Sequence, residues 1–134
     1  MNAVLVDSSV VIDIFSADAA FYDRSLAILS EWGSVCDLCI NEIIYAEISA
    51  SFDTIEALDR ALVGSGFIHC SLPKEALFLA TKAFLSYRRR GGLKTTTLPD
   101  FFIGAHAAVA GLPLITRDPA RVIQAYPTVR IITP

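Results

Sequence analysis

The chain has 134 residues, 54% of them hydrophobic, and a formal net charge of −3, which accommodates one domain spanning residues 1–134 and excludes a general basic surface for nucleic acid. Asp7, Asp13, Glu42, Glu47 and Asp100 break every apolar run well short of the roughly 20 residues a membrane-spanning helix needs, and the start MNAVLVD has no basic leader. A cytoplasmic protein is expected, and a mean hydropathy of +0.54 implies apolar surface left over to bury against a partner.

AVLV (3–6) reads as a strand that runs into Asp7-Ser8, good N-cap residues at a handover from strand to helix. Phe21, Ser25, Ile28, Leu29 and Trp32 then mark one helical face that ends at Gly33. SVCDLCI (34–40) reads as a second strand, whose period of two sends Cys36 and Cys39 to opposite faces. These thiols and Cys70 are read as small apolar residues rather than zinc ligands. NEIIYAEISA (41–50) is helical, and DTIE (53–56) has the form of a cap before Ile55, Leu58 and Leu62 at helical spacing. FIHC (67–70) is a short strand. Pro73 to Arg89 forms a long helix with Ala76, Ala80, Ala83, Phe84 and Tyr87 on one side. TLPDFFIGAHAAVAG opens another helix, in which His106 is read as a packed residue rather than a general base. LPLIT (112–116) is a buried strand, TRDPARV places Asp118 at an N-cap with Pro119 at the first helical position, and VRII (129–132) closes the pattern. Strands separated by helices imply an α/β fold with parallel pairing and right-handed crossovers. Ligands in such sheets sit beyond the carboxyl ends of the strands, where Asp7 and Asp118 are placed.

Caps explain Asp7, Asp118 and even Asp100, since Thr97-Leu98-Pro99-Asp100 has the capping-box spacing. They do not explain Glu47. At about 100° per residue, Ile43, Ile44, Ile48 and Ala50 form an apolar arc and Glu47 projects from its middle. Asp100 likewise shares a face with Ile103, Gly104 and Ala107. Two acids on apolar faces and two at strand ends suggest one convergent site. Each pair at about 4 Å would repel by on the order of 4 kcal/mol at an effective dielectric near 20, so protonation, a nearby cation or a divalent metal is required. Hard oxygen ligands favour Mg²⁺ or Mn²⁺. YRRRGGLK (87–94) gathers Arg88, Arg89, Arg90 and Lys94, a solvated helix end unless a phosphate-handling site lies near.

VLVDSSVVIDIF, INEIIYAEIS, TLPDFFIGAHA and LITRDPARV, taken in order over nearly the whole chain, resemble the motif blocks of PIN-domain ribonucleases, in particular the single-domain VapC-type toxins of toxin–antitoxin pairs. The resemblance implies a three-layer α/β/α sandwich with a central, mostly parallel sheet. It implies that Asp7, Glu47, Asp100 and Asp118 bind Mg²⁺ or Mn²⁺ and catalyse hydrolysis of RNA, with Ser8 and Thr116 in support. It further implies a VapB-type antitoxin partner and a homodimer. Arg88, Arg89, Arg90 and Lys94 then become candidates for flanking RNA phosphates. Arg117 is a candidate for contact with RNA or with Asp7, and Asp13 reads as a helix-surface or second-layer residue. The alternatives are a solitary PIN nuclease without an antitoxin, a phosphotransfer enzyme using Asp7 as nucleophile, which lacks an acid at Ser9 and leaves Glu47 unexplained, and a non-catalytic module.

Overall fold

A computed structural model describes residues 2–92 and 97–134. Strand β1 (Ala3–Val6) is buried at all four positions, as a strand covered on both faces requires. It is followed by α1 (Ser8–Phe15), α2 (Tyr22–Gly33), β2 (Asp37–Ile40), α3 (Glu42–Ser49), α4 (Ile55–Gly64), β3 (Phe67–His69) and α5 (Lys74–Arg89). The remainder is α6 (Leu98–Ala110), β4 (Leu114–Ile115), α7 (Pro119–Ile123) and β5 (Ile131–Ile132). The strands form one parallel sheet in the order β3-β2-β1-β4-β5. The chain steps outward from β1 to β3, then crosses back to β4 and β5. Right-handed crossovers therefore put α1 to α4 on one face and α5 to α7 on the other, the three-layer sandwich expected.

Local chemistry sets the helix ends. The Asn41 and Thr54 side chains accept from the Ile44 and Ala57 amides, and Gly111 closes α6 at φ 66°, a conformation glycine takes without steric cost. Helix α6 packs closely on α5, with the Phe101 ring 5.5 Å from Phe84 and 5.4 Å from Tyr87. It also meets Tyr126, whose buried ring lies over the bare Cα of Gly104 and whose hydroxyl donates to the Phe101 carbonyl at 3.0 Å.

Four strands are shorter than expected, β3 by the single residue Cys70. Strand β2 begins at Asp37, with Val35 exposed before it, so alternation does not govern Cys36. Cys39 instead meets Cys70 of the next strand's end, whose Sγ donates to it at 2.9 Å. LPLIT and VRII contract to two-residue strands. Beyond β4 the Thr116 amide still donates to the Ile132 carbonyl at 3.0 Å, and its hydroxyl donates to Asp7.

Candidate functional site

Asp7 follows the central strand β1, and Thr116 follows its neighbour β4. The first crossover leaves β1 toward β2 while β4 lies on its other side, so the two residues flank a topological switch point, where such sheets open a ligand crevice. Asp7 is the N-cap of α1, its Oδ1 accepting from the Ser8 amide at 2.9 Å. Its Oδ2 accepts from the Ser9 hydroxyl at 2.9 Å and the Thr116 hydroxyl at 2.8 Å. Three donors thus hold this carboxylate in one orientation.

The other acids arrive from three further elements. Glu47, on α3, accepts from the Ser8 hydroxyl at 2.8 Å. It is exposed, which corrects the expectation that it faces the core: α3 buries Ile44 and Ile48, and Glu47 stands at the crevice rim beside that apolar face. Asp100, 20% exposed, completes a capping box with Thr97 at the start of α6, so it serves the helix and lines the crevice together. Asp118 occupies the N-cap position of α7 but makes no side-chain cap bond, and its exposed carboxylate is left for the crevice. Its amide donates to Thr116 Oγ1 at 3.0 Å. Ser8 and Thr116 therefore both support acids, Ser8 on Glu47 and Thr116 on Asp7.

Arg121 was not singled out from sequence, because a lone arginine on a short helix carries no pattern. Its Nη1 lies 3.5 Å from Asp100 Oδ1, and it lines both the acidic crevice and an adjoining hollow that Arg90 also lines. Arg89 and Arg90 are exposed at the end of α5, and Arg88 stacks 5.7 Å over Phe84; Lys94 lies outside the described residues. Of the two readings of Asp13 the structure excludes the helix surface, since it is buried at 1% exposure, and leaves the second layer. Arg117 does not contact Asp7; it pairs with Asp13, Nη2 to Oδ1 at 3.2 Å, with its side chain 31% exposed. His106 is buried, and its Nδ1 meets the Asn41 amide nitrogen at 2.9 Å, the packed residue expected.

The PIN domain family model matches residues 4–124. The chain belongs to the PIN domain family. No curated protein sequence matches it, but solved structures share its fold throughout. A VapBC-1 structure from nontypeable Haemophilus influenzae superposes with a TM-score of 0.71 at 17% identity, covering 98% of this chain and 97% of that one. A toxin–antitoxin complex from Klebsiella pneumoniae gives 0.68 at 22%, with 98% and 97% covered. Mycobacterium tuberculosis VapC20, described as a sarcin–ricin loop cleaving toxin, gives 0.56 at 14%, with 81% and 84% covered.

In this PIN domain, burial raises the Asp7 carboxyl above its ordinary range, against the pull of the Thr116, Ser9 and Ser8 bonds, and repulsion from Asp100 adds to the rise. Glu47 is also raised, by partial burial of its carboxylate and by Asp7 and Asp100, with the Ser8 bond and Arg121 opposing. Among the described residues no three acidic, His or Cys side chains are drawn into a ready-made metal cage. The donor set nonetheless fits a hard divalent cation: four carboxylates from four elements, two of them strained toward protonation by burial and by each other, with one neighbouring arginine. The sign follows for stability. Acids raised in the folded state keep protons that the unfolded chain has lost, so Asp7 and Glu47 cost the metal-free PIN domain stability as pH climbs from their ordinary values of 3.8 and 4.5 through the raised ones, while Glu42, lowered in the folded state, works the other way. Thermal unfolding in EDTA from about pH 4 to about pH 8 is expected to show this fall, with Mn²⁺ flattening it. The same slope with and without Mn²⁺ would mean that no cation binds these acids.

Proposed function

We propose that this PIN domain is a Mg²⁺- or Mn²⁺-dependent endoribonuclease and the toxin of a toxin–antitoxin pair. The observation that carries the reading is the convergence of Asp7, Asp100 and Asp118 on one crevice at the carboxyl ends of β1 and β4, with Glu47 held beside it by Ser8 and repelled by both Asp7 and Asp100. A bound divalent cation supplies a water acidic enough to attack at neutral pH and positive charge against the charge that builds on the phosphorus oxygens. The chain's own residues do the rest. Ser8, Ser9 and Thr116 fix the Asp7 carboxylate, and Ser8 also orients Glu47, so these two acids are held in one orientation before a cation arrives. Thr97 holds Asp100. Arg121 faces the crevice and is placed to meet an RNA phosphate, with Arg90 and its neighbours Arg88 and Arg89 continuing the positive track away from it. The phosphotransfer alternative fits less well, since three donors orient Asp7 as a ligand rather than leave it free to attack.

The toxin reading rests on the fold neighbours, several of which are VapBC complexes with VapC-type chains of this length. Exposed apolar side chains such as Phe78 at 68% and Val63 at 78% suit a homodimer and a VapB-type antitoxin. No helix among the described residues is long and apolar enough to cross a membrane, which agrees with a cytoplasmic setting. The test is incubation of the purified protein with structured RNAs, a sarcin–ricin loop among them, in Mn²⁺ or Mg²⁺. Cleavage that appears with the metal and stops with EDTA is expected; cleavage indifferent to EDTA would overturn the proposal.

A further inference from the structure

Asp13 is the feature the site does not explain. A carboxylate at 1% exposure in the middle of α1 carries a large desolvation cost, and the protein meets it with two partners. Ser25, itself fully buried on α2, donates to Asp13 Oδ2 at 2.8 Å, and Arg117 approaches Oδ1 at 3.2 Å. The Arg117 guanidinium also lies 4.2 Å over the Phe21 ring. Its Nε is buried without a hydrogen-bond partner. A pair that leaves one of its own donors unsatisfied is a poor source of stability, and apolar residues of similar size would fill the space at least as well.

What apolar residues would not supply is position. Arg117 sits between two members of the site, and every residue of its loop touches it. Thr116 donates to Asp7, the Arg117 amide approaches the Ser9 hydroxyl at 3.4 Å, Ser9 in turn donates to Asp7, and the Asp118 amide donates to Thr116. The five-residue α7 that follows begins without a side-chain cap and holds the loop from its other end through buried Val122.

We propose that the Asp13–Arg117 pair bolts the Thr116–Asp118 loop to α1 and α2, making Asp13 and Arg117 positioning residues that set Thr116 and Asp118 against Asp7. The metal-binding consequence rests on the nuclease reading; the placement of the loop does not. The experiment uses the full chain. Asp13→Leu/Arg117→Met removes both charges at once and is expected to fold, because neither ion is left buried alone. Arg117→Lys keeps the charge but loses the planar fork and the stack on Phe21, and serves if the double variant fails to fold. Amide exchange at Arg117 and Asp118 is read by NMR in EDTA, and Mn²⁺ affinity by the loss of the free-ion EPR signal. In a variant with wild-type circular dichroism, both amides are expected to exchange faster, while Mn²⁺ binding weakens by about 10- to 100-fold, the range seen when the groups behind metal ligands are removed. Wild-type protection of both amides in a folded variant overturns the proposal. If the wild-type protein itself binds no Mn²⁺, the nuclease reading falls, and the exchange rates still decide the bolt.

Discussion

Asp7→Asn is expected to lower metal-dependent RNA cleavage by on the order of 10²- to 10³-fold, the scale for removing one preorganised charge from a reacting centre, while leaving the fold intact. Asn is as good an N-cap as Asp, so α1 keeps its start. The Ser9 and Thr116 hydroxyls can each rotate to suit an amide, so the bonds that hold Asp7 have replacements. Burial raises the Asp7 carboxyl more than any other influence does, and the substitution removes that charged form. The metal-free variant should therefore melt no lower than wild type at neutral pH. Stabilisation by Mn²⁺ should shrink or vanish. Activity lost together with a lowered melting temperature in EDTA would point to a folding defect; activity retained would remove Asp7 from the chemistry.

Gly104→Ala should be strongly damaging to the fold. The added Cβ would stand 2.5 Å from Tyr126 Cδ2 and 2.6 Å from Cε2, inside any tolerable contact. Ala is the better helix former, so on an exposed face the change would stabilise. Here the ring must move, and it is buried at 5% with its hydroxyl tied to the Phe101 carbonyl. Overpacking of about 1–3 kcal/mol and loss of a buried hydrogen bond worth about 1 kcal/mol sum to about 2–4 kcal/mol, or a melting temperature lower by roughly 10 °C. Since Val122 packs at the same spot, α7 and the Asp118 loop before it would be displaced, and cleavage should fall with stability. An unchanged melting temperature would show that the ring has room to retreat.

The sheet was legible in the sequence because strands covered on both faces are continuous apolar runs. AVLV became β1 with the same bounds. The capping box of Thr97 and Asp100 also reads from local spacing, whereas DTIE signalled a cap one residue early, Thr54 taking the place of Asp53. What local spacing misjudged was depth. Glu47 lies in the middle of an apolar arc by angle, yet α3 sits at the end of the sheet where the crevice opens, so the same angle reaches solvent. Between a helix surface and a second layer, local spacing left Asp13 open: a single acid on α1 shows no partner, because its partner is 104 residues away in sequence at Arg117. Asp118 looked like an ordinary cap, and only coordinates show that its carboxylate makes no cap bond. Arg121 had no signal at all.

The central place of β1 has a consequence for how the protein is made. Asp7 is translated early, but the strand that covers its far side and the hydroxyl that fixes it, Thr116, lie 109 residues downstream, with Asp118 later still. A ribosome adding about 5–20 residues per second needs several seconds to bridge that gap. Through that interval the nascent chain carries one acid of the crevice without the loop that completes it. Such a long-range closure also slows folding. On the nuclease reading, a chain that ends before β4 has Asp7 without Thr116 or Asp118 and is expected to cleave nothing.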